Sequence, residues 1–230
     1  MRLSSRLLLV KYALKSGALR LMPEFYWGMR RFLYGWYEPE LALLPFLADP
    51  KRPAFDIGAH FGLWLTAMLP HFAEVHAFEP VPRLAAVLRA GHGGKRVHVH
   101  ELALSNAPGR TSMRIPIASL GRSTVEPQNR LTGLKDISQP IVEIQVATGR
   151  LDDLALPDPA FIKIDAEGHE LAVLKGAEKL IARARPAMVI ELEEHHFPDT
   201  SAETARLLDS LGYVALRLPG SRNCLFLPHS

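Results

Sequence analysis

Strand-like apolar segments alternate with helical segments from residue 38 to the end of the chain. Four such segments each precede a stretch with helical spacing of apolar residues: 54–57, 75–78, 160–165 and 187–193. The same pattern predicts a further strand over 96–103 and one helix over 170–184. Strands that are separated by helices pair in parallel, because each helix returns the chain to the same edge of the sheet. The last two strand-like segments, 213–218 and 223–227, are joined by a Pro-Gly turn that is typical of a hairpin. The pattern therefore predicts an α/β fold with a mostly parallel sheet and a C-terminal antiparallel hairpin.

The first 37 residues differ in composition from the rest and predict a basic, aromatic, helical arm. Residues 1–36 hold seven Lys or Arg and one acid, Glu24, whereas the remainder holds 20 basic and 23 acidic side chains. The net charge of +3 is thus the sum of +6 in the arm and −3 in the rest of the chain. This distribution gives no reason to expect nucleic acid as a partner. The apolar run in the arm is too short for a membrane span. We expect the arm to pack on the domain or to contact an anionic membrane surface or an acidic protein.

Residues 38–230 are of a length typical of one domain. The part between about 109 and 148 interrupts the alternation of strands and helices, and its two strand-like pieces predict an insertion that contains a hairpin. Such an insertion is where substrate selection is expected. The one cysteine, Cys224, excludes an intramolecular disulfide and fits a reducing, cytoplasmic location.

Glycines and an acid follow the first two predicted strands in a pattern that indicates a nucleoside cofactor. Gly58 and Gly62 lie at a strand-to-helix turn, where the backbone can approach a ligand beside the free N–H groups of a helix. Glu79 follows the next strand, at the offset where an acid accepts hydrogen bonds from the hydroxyls of a ribose. His60 replaces a glycine of the dinucleotide fingerprint, which favours a small adenosyl ligand over NAD.

The segment FIKIDAEGHE at 161–170 predicts an acid/base cluster at the end of a later strand. Four ionisable side chains crowd this strand end: Lys163, Asp165, Glu167 and His169. The alternative is that an acid here caps the following helix, a role that either Asp165 or Glu170 could have. A further alternative is that Asp165 and Glu191 together hold Mg²⁺ through their oxygen atoms.

The chain resembles the FkbM family of S-adenosylmethionine-dependent methyltransferases in six segments that occur in order: DIGAHFG (56–62), VHAFEP (75–80), ELALS (101–105), RLDDL (150–154), FIKIDAEGHELAVLKGA (161–177) and PAMVIELE (186–193). The resemblance implies a Rossmann-like class I methyltransferase fold, with a seven-stranded sheet in which one strand of the C-terminal hairpin is antiparallel. It also implies methylation of a hydroxyl oxygen on a saccharide or a small-molecule metabolite.

The resemblance also implies which residues bind S-adenosylmethionine. They are Asp56, Gly58, His60, Gly62, Glu79, Leu102 and Ala103. Glu79 is implied to hold the ribose, and the backbone at Leu102 or Ala103 to flank the adenine. The residues of the first turn are implied to line the methionine end, where His60 replaces the more usual Asn of the family and keeps a polar side chain.

Three residues are predicted to act on the acceptor, and two other functions stay open. Asp165 is the first candidate for the general base, because it follows a strand at the expected cofactor cleft, and His169 and Glu167 come next. One alternative is an NAD-dependent oxidoreductase of the Rossmann type. The other is a non-catalytic binding module of the same fold that docks through its basic arm.

Overall fold

A computed structural model describes residues 17–18, 21–22, 25–26, 38–92, 94, 96–117, 120–127, 129, 131, 140–192 and 198–229. Most of the predicted arm lies outside these residues, and so does part of the predicted insertion. Within the described ranges, no helix is both long enough and apolar enough to span a membrane.

The described residues form ten strands: β1 (Ala54–Ile57), β2 (Val75–Phe78), β3 (Val97–His100), β4 (Ala103–Leu104), β5 (Gly109–Pro116), β6 (Ile141–Gly149), β7 (Phe161–Ile164), β8 (Ala187–Glu191), β9 (Tyr213–Arg217) and β10 (Asn223–Pro228). The α-helices among them are α1 (Leu44–Leu47), α2 (Leu63–Met68), α3 (Pro82–His92), α4 (Glu170–Lys175), α5 (Glu178–Ala184) and α6 (Pro198–Ser210). Short 3-10 helices occupy Pro39–Leu43, Leu120–Arg122 and Leu151–Asp153.

Seven strands form the main sheet in the order β3-β2-β1-β7-β8-β10-β9. The pairs from β3 to β8 are parallel, and β10 is antiparallel to both of its neighbours. The predicted fold class is therefore confirmed, including the antiparallel strand in the C-terminal hairpin. The carboxyl ends of β1, β7 and β8 lie side by side at the centre of the sheet. In sheets of this kind, ligands bind just beyond the carboxyl ends of the strands.

A second, three-stranded sheet with the order β4-β6-β5 lies within and beside the predicted insertion. Strands β5 and β6 form a long antiparallel hairpin, from the pair Gly109–Thr148 to the pair Pro116–Ile141. Strand β4 joins the other edge of β6 in parallel. The sequence pattern predicts one strand over 96–103, but the structure divides this segment between the two sheets.

The two faces of the main sheet are covered by separate apolar clusters. Phe55 and Ile57 of β1 face one cluster, which also contains Leu174 of α4, Leu180 of α5 and Leu208 of α6. Ala54, which precedes them in the chain, faces the other cluster with the side chains of α2. All four residues of β1, including Asp56, are buried, so this strand has no solvent-exposed face.

The prediction of one helix over residues 170–184 is wrong, because the chain breaks after Lys175 into α4 and α5. A Cβ atom on Gly176 would lie 2.0 Å from the carbonyl oxygen of Ser105, so only glycine allows this approach. The Asp152 carboxylate then accepts hydrogen bonds from the backbone N–H groups of Lys179 (3.2 Å) and Leu180 (2.9 Å) at the start of α5. A distant aspartate therefore caps the second helix in place of the preceding turn.

We predict that Gly176→Ala lowers the thermal midpoint by about 4–10 °C. The added methyl group collides with backbone rather than with a flexible side chain, and overpacking of this kind costs about 1–3 kcal/mol. Thermal unfolding followed by circular dichroism measures the effect. Gly94→Ala is the matched control, because its Cβ would meet only one atom, at 3.9 Å. Equal midpoints for the two variants would contradict the prediction.

Candidate active site

A cavity of about 540 Å³ opens at the carboxyl ends of β1, β7 and β8. Its lining includes Asp56 from β1, Lys163 and Asp165 from the end of β7, and Glu191 from β8. Asn223 from the C-terminal hairpin closes another side. The polar residues that follow separate strands in the sequence are thus brought together in one space.

A smaller pocket of about 100 Å³ adjoins this cavity and is mostly apolar. Its lining includes Leu102, Ala103, Met113 and Val125, with the Glu79 carboxyl group beside them. Gly58, His60, Asp165 and Glu167 line both spaces. The two pockets therefore meet at the turn after β1 and the turn after β7.

The turn after β1 requires glycine at Gly58 because of the backbone that lies next to it. Gly58 has a φ angle of 81°, and a Cβ atom there would lie 1.8 Å from the carbonyl oxygen of Asp165. Its N–H group donates a hydrogen bond to the carbonyl of Phe78, at 3.0 Å. Gly62 lines neither pocket and is the residue that precedes α2, with a φ angle of 80°. A Cβ atom on Gly62 would lie 2.8 Å from the side chain of Leu88. The second glycine is therefore needed for packing.

The Glu79 carboxyl group is buried and is held by the turn that follows β1. Its Oε2 accepts a hydrogen bond from the backbone N–H of His60 at 2.8 Å, and its Oε1 accepts one from Val81 at 2.9 Å. Burial raises its pKa to about 7, and these two hydrogen bonds oppose the rise. Glu79 is therefore fixed in the wall of the smaller pocket, and it exchanges its proton near neutral pH.

Lys163 and Asp56 form the floor of the larger cavity. The Lys163 side chain is 2% exposed, and its Nζ donates hydrogen bonds to Asn223 Oδ1 (3.1 Å) and to the carbonyl of Ile164 (3.2 Å). Burial raises the pKa of Asp56 to about 7, although Lys163 opposes the rise. Asp56 Oδ2 is buried and accepts no hydrogen bond from the described residues, which leaves an acceptor for a cationic or N–H group of a ligand.

Asp165 and Glu191 form a carboxyl pair above Lys163. Burial, followed by the charge of Asp165 and a hydrogen bond with it, raises the pKa of Glu191 well above its usual range. Lys163 Nζ lies 3.9 Å from Asp165 Oδ2, and Arg222 Nε lies 3.1 Å from Glu191 Oε1. Glu191 therefore keeps its proton at neutral pH. The alternative of a magnesium site requires a cation beside Asp165 and Glu191. The Lys163 ammonium group already supplies positive charge beside Asp165.

Glu167 and His169 are held by contacts with the insertion, while Glu167 lines both pockets and His169 lines the smaller one. The Glu167 carbonyl accepts hydrogen bonds from Thr124 Oγ1 (2.9 Å) and Asn129 Nδ2 (3.0 Å). The His169 ring is hydrogen-bonded through Nδ1 to Glu126 and through Nε2 to Ser105 Oγ, at 2.9 Å. Both ring nitrogens of His169 are thus engaged by protein groups, and the role of these two residues in acid/base chemistry stays a prediction.

Glu170 is the acid that organises the turn before α4. Its Oε1 accepts hydrogen bonds from the backbone N–H groups of Ala166 (2.9 Å) and Gly168 (3.1 Å). Burial raises its pKa to about 7, and the backbone hydrogen bonds oppose the rise. Of the two acids that the sequence offers as helix caps, Glu170 stabilises the turn, while Asp165 lines the cavity.

Two acids near residue 40 belong to the cavity, although no pattern in the sequence selects them. Glu38 Oε2 accepts a hydrogen bond from the indole N–H of Trp64 at 2.5 Å, and burial raises its pKa. Glu40 accepts hydrogen bonds from Ser221 and from Asn223 Nδ2, the latter at 3.2 Å. The hydrogen bonds of Glu40 connect segments more than 180 residues apart in the sequence. Such long-range pairing produces no local spacing of residues from which the position could be predicted.

The described part of the insertion covers the junction of the two pockets. Gly121 lies next to the His60 ring, since a Cβ atom on it would be 3.3 Å from His60 Cε1. Gly121 and Arg122 line the larger cavity, and Gly121, Ser123 and Val125 line the smaller pocket. A ligand that fills both pockets would therefore lie beneath the insertion.

Comparison with known proteins identifies one matching family model, the Methyltransferase FkbM domain, over residues 56–215. None of the curated proteins matches the chain significantly. Among solved structures, a methyltransferase FkbM from Methylobacillus flagellatus KT is similar, with 23% identity and a TM-score of 0.52. The similarity covers 77% of this chain but only 44% of that protein. Cofactor-bound Rv0187 from MTB is 16% identical, with 96% of this chain and 88% of that one covered and a TM-score of 0.49.

Proposed function

This chain belongs to the FkbM methyltransferase family, and we propose that it transfers a methyl group from S-adenosylmethionine to a hydroxyl oxygen of a saccharide or small-molecule acceptor. The observation that carries the proposal is the junction of an apolar pocket and an acidic cavity at Gly58, His60 and Asp165. A cofactor that extends from the first into the second would meet an acceptor in the second beside the Asp165 carboxylate.

The residues of the smaller pocket fit an adenosine group. Leu102, Ala103 and Met113 offer apolar surface for a base, and Glu79 offers carboxylate oxygens for the ribose hydroxyls. Asp56 Oδ2 in the larger cavity offers the unsatisfied acceptor that the ammonium group of the methionine end requires. These positions agree with the roles that the sequence resemblance implies for Glu79, Ala103 and Asp56.

Bound S-adenosylmethionine supplies an electrophilic methyl group, and the chain supplies alignment and a base. A hydroxyl is a poor nucleophile until its proton is removed. Asp165 accepts this proton, because it lines both pockets, whereas Glu191 keeps its own proton. Lys163, 3.9 Å from Asp165 Oδ2, holds the carboxylate at the end of β7.

The lining of the larger cavity supports an acceptor with several hydroxyl groups. Carboxyl groups of Glu38, Glu40 and Glu191 line it alongside the Asn223 amide, and such groups accept or donate hydrogen bonds to hydroxyls. The family match also favours methyl transfer over the alternative of an NAD-dependent oxidoreductase. The positions of Glu79 and Asp165 favour a catalytic site over a module that kept only the fold.

We predict that Glu79→Gln weakens S-adenosylmethionine binding about 10- to 100-fold at pH 8 and removes part of its pH dependence. Two ribose hydroxyls require an ionised acceptor, whose loss costs about 1.5–3 kcal/mol. Because the pKa of Glu79 is raised to about 7, the free protein carries a protonated Glu79 at pH 6 and must lose that proton to bind. Affinity should therefore rise from pH 6 to pH 8, by at most about tenfold per pH unit.

Isothermal titration calorimetry at pH 6 and pH 8 measures both effects. Asp56 also titrates near pH 7, so only the part of the pH dependence that disappears in Glu79→Gln is assigned to Glu79. Glu203→Gln is the matched control, because this glutamate is about half exposed on α6. Unchanged affinity in Glu79→Gln, in a protein with normal thermal unfolding, would refute the ribose role.

We predict that Asp165→Asn lowers turnover about 10²- to 10⁴-fold while cofactor affinity changes little. The amide cannot accept the acceptor's proton but keeps nearly the same shape. Turnover is measured with labelled S-adenosylmethionine against a panel of sugars, nucleotide sugars and polysaccharide fragments. Asp153→Asn is the control, since its side chain is 60% exposed and lines neither pocket. Full turnover in Asp165→Asn would place the base elsewhere.

A further inference from the structure

A cluster of histidines lies at the edge of the main sheet, away from the candidate active site. His76 on β2 and His98 on β3 are directly paired in the parallel register, and Glu74 precedes β2. Both histidines lie in the first half of their strands, whereas Glu79 follows the opposite end of β2. The cluster is therefore separate from the two pockets, and any role for it is independent of the proposed methyl transfer.

The Glu74 carboxylate joins the two imidazole rings. Its Oε1 lies 3.2 Å from His76 Nε2, and its Oε2 lies 3.0 Å from His98 Nε2. The three ligand atoms lie within 4.8 Å of one another. Among the described residues, no other three side chains of His, Cys, Asp or Glu bring their ligand atoms this close together. Adjacent ligand atoms around a tetrahedral zinc ion are about 3.3 Å apart, as bond lengths of about 2.0–2.1 Å require. The observed separations are therefore close to those of a metal site.

A further contact gives His76 the second partner that metal-binding histidines usually have, although the stacked His76 and His98 rings must tilt toward each other to share one ion. His76 Nδ1 lies 3.1 Å from His100 Nε2, so its other ring nitrogen has a partner while Nε2 points to Glu74. Such a second contact fixes the ring and the tautomer of a metal ligand. His76 is buried and stacks on both neighbours, with ring centroids 4.6 Å from His98 and 5.3 Å from His100. The least exposed ligand is thus held rigidly by its own strand and the next one.

One side of the cluster is open to solvent, which provides an entry path and a position for water. The side chains of Glu74 and His98 are 30% and 43% exposed. Three protein ligands with an open fourth position are typical of zinc sites that keep a water molecule. Imidazole nitrogens together with one carboxylate favour Zn²⁺ over Mg²⁺ or Ca²⁺, which prefer oxygen atoms only.

We propose that Glu74, His76 and His98 form a binding site for a zinc ion that ties the edge strand β3 to β2. Such an ion replaces the two hydrogen bonds of Glu74 with three bonds to metal, and His100 supports His76 from behind. Because the ion binds the folded chain, it stabilises the fold according to its affinity.

Titration of the metal-free full chain with Zn²⁺ alone, by calorimetry, tests this proposal. We expect wild-type protein to bind one ion per chain, and His98→Ala and Glu74→Gln to weaken that binding at least tenfold. His229→Ala is the matched control, because this exposed histidine lies near the C-terminus, outside the cluster. Zinc at about 100 times its Kd should raise the thermal midpoint of the wild type by about 5–11 °C and that of His98→Ala much less.

Three results would overturn the proposal. The first is the absence of a one-to-one zinc complex with the wild-type chain. The second is equal zinc affinity in wild type and His98→Ala, which would place binding elsewhere. The third is an equal loss of affinity in His229→Ala. The thermal midpoints of all variants without zinc show whether each is folded, and Glu74→Gln, which keeps the size of the side chain, gives a second test if His98→Ala unfolds.

Discussion

The buried ammonium group of Lys163 is the interaction on which the candidate active site depends. A charge with 2% exposure is strongly unfavourable unless polar groups surround it, and here Asn223 Oδ1, the Ile164 carbonyl and the Asp165 carboxylate do so. Its positive charge also opposes the effect of burial on the pKa of Asp56 and Glu191. Several carboxyl groups can therefore crowd one cavity, because the Lys163 cation lies beneath them.

A close approach between two turns gives the site its shape. The backbone of Gly58 lies against the Asp165 carbonyl, since β1 and β7 are hydrogen-bonded neighbours and their carboxyl ends stop at the same level. This contact places the turn at Gly58 and the Asp165 carboxylate next to each other without any side chain between them. The Glu79 carboxylate then fixes the other side of the turn by accepting the N–H of His60. The junction of the two pockets is thus a property of the backbone and the sheet register.

The sequence predicts the parts of this arrangement that depend on local pattern. The β1 and β2 segments are predicted at 54–57 and 75–78, where the structure has them, and the positions of Gly58, Glu79 and Asp165 follow from the ends of strands. Features set by contacts between distant segments could not be predicted. The break at Gly176 depends on the Ser105 carbonyl, and the entry of Glu40 into the cavity depends on the C-terminal hairpin.

The histidine cluster could not be predicted from the sequence either, because the sequence pattern around its residues indicates only two strands. In RVHVH the histidines at 98 and 100 alternate with valines, which is what a half-buried edge strand requires. Only the parallel register places His98 beside His76 and brings Glu74 between them.

The two ends of strands β2 and β3 are connected through their pairing. The carbonyl of His100 accepts a hydrogen bond from the N–H of Glu79 at 2.9 Å, and the chain continues from β3 directly into Leu102 and Ala103. Whatever fixes β3 against β2 therefore also fixes the apolar wall of the smaller pocket relative to the Glu79 carboxylate. Strand β3 is an edge strand with β2 as its only neighbour among the described strands, so few other contacts hold it in register. A metal tie at the start of this pair would act on an edge strand that leads directly into the wall of the smaller pocket.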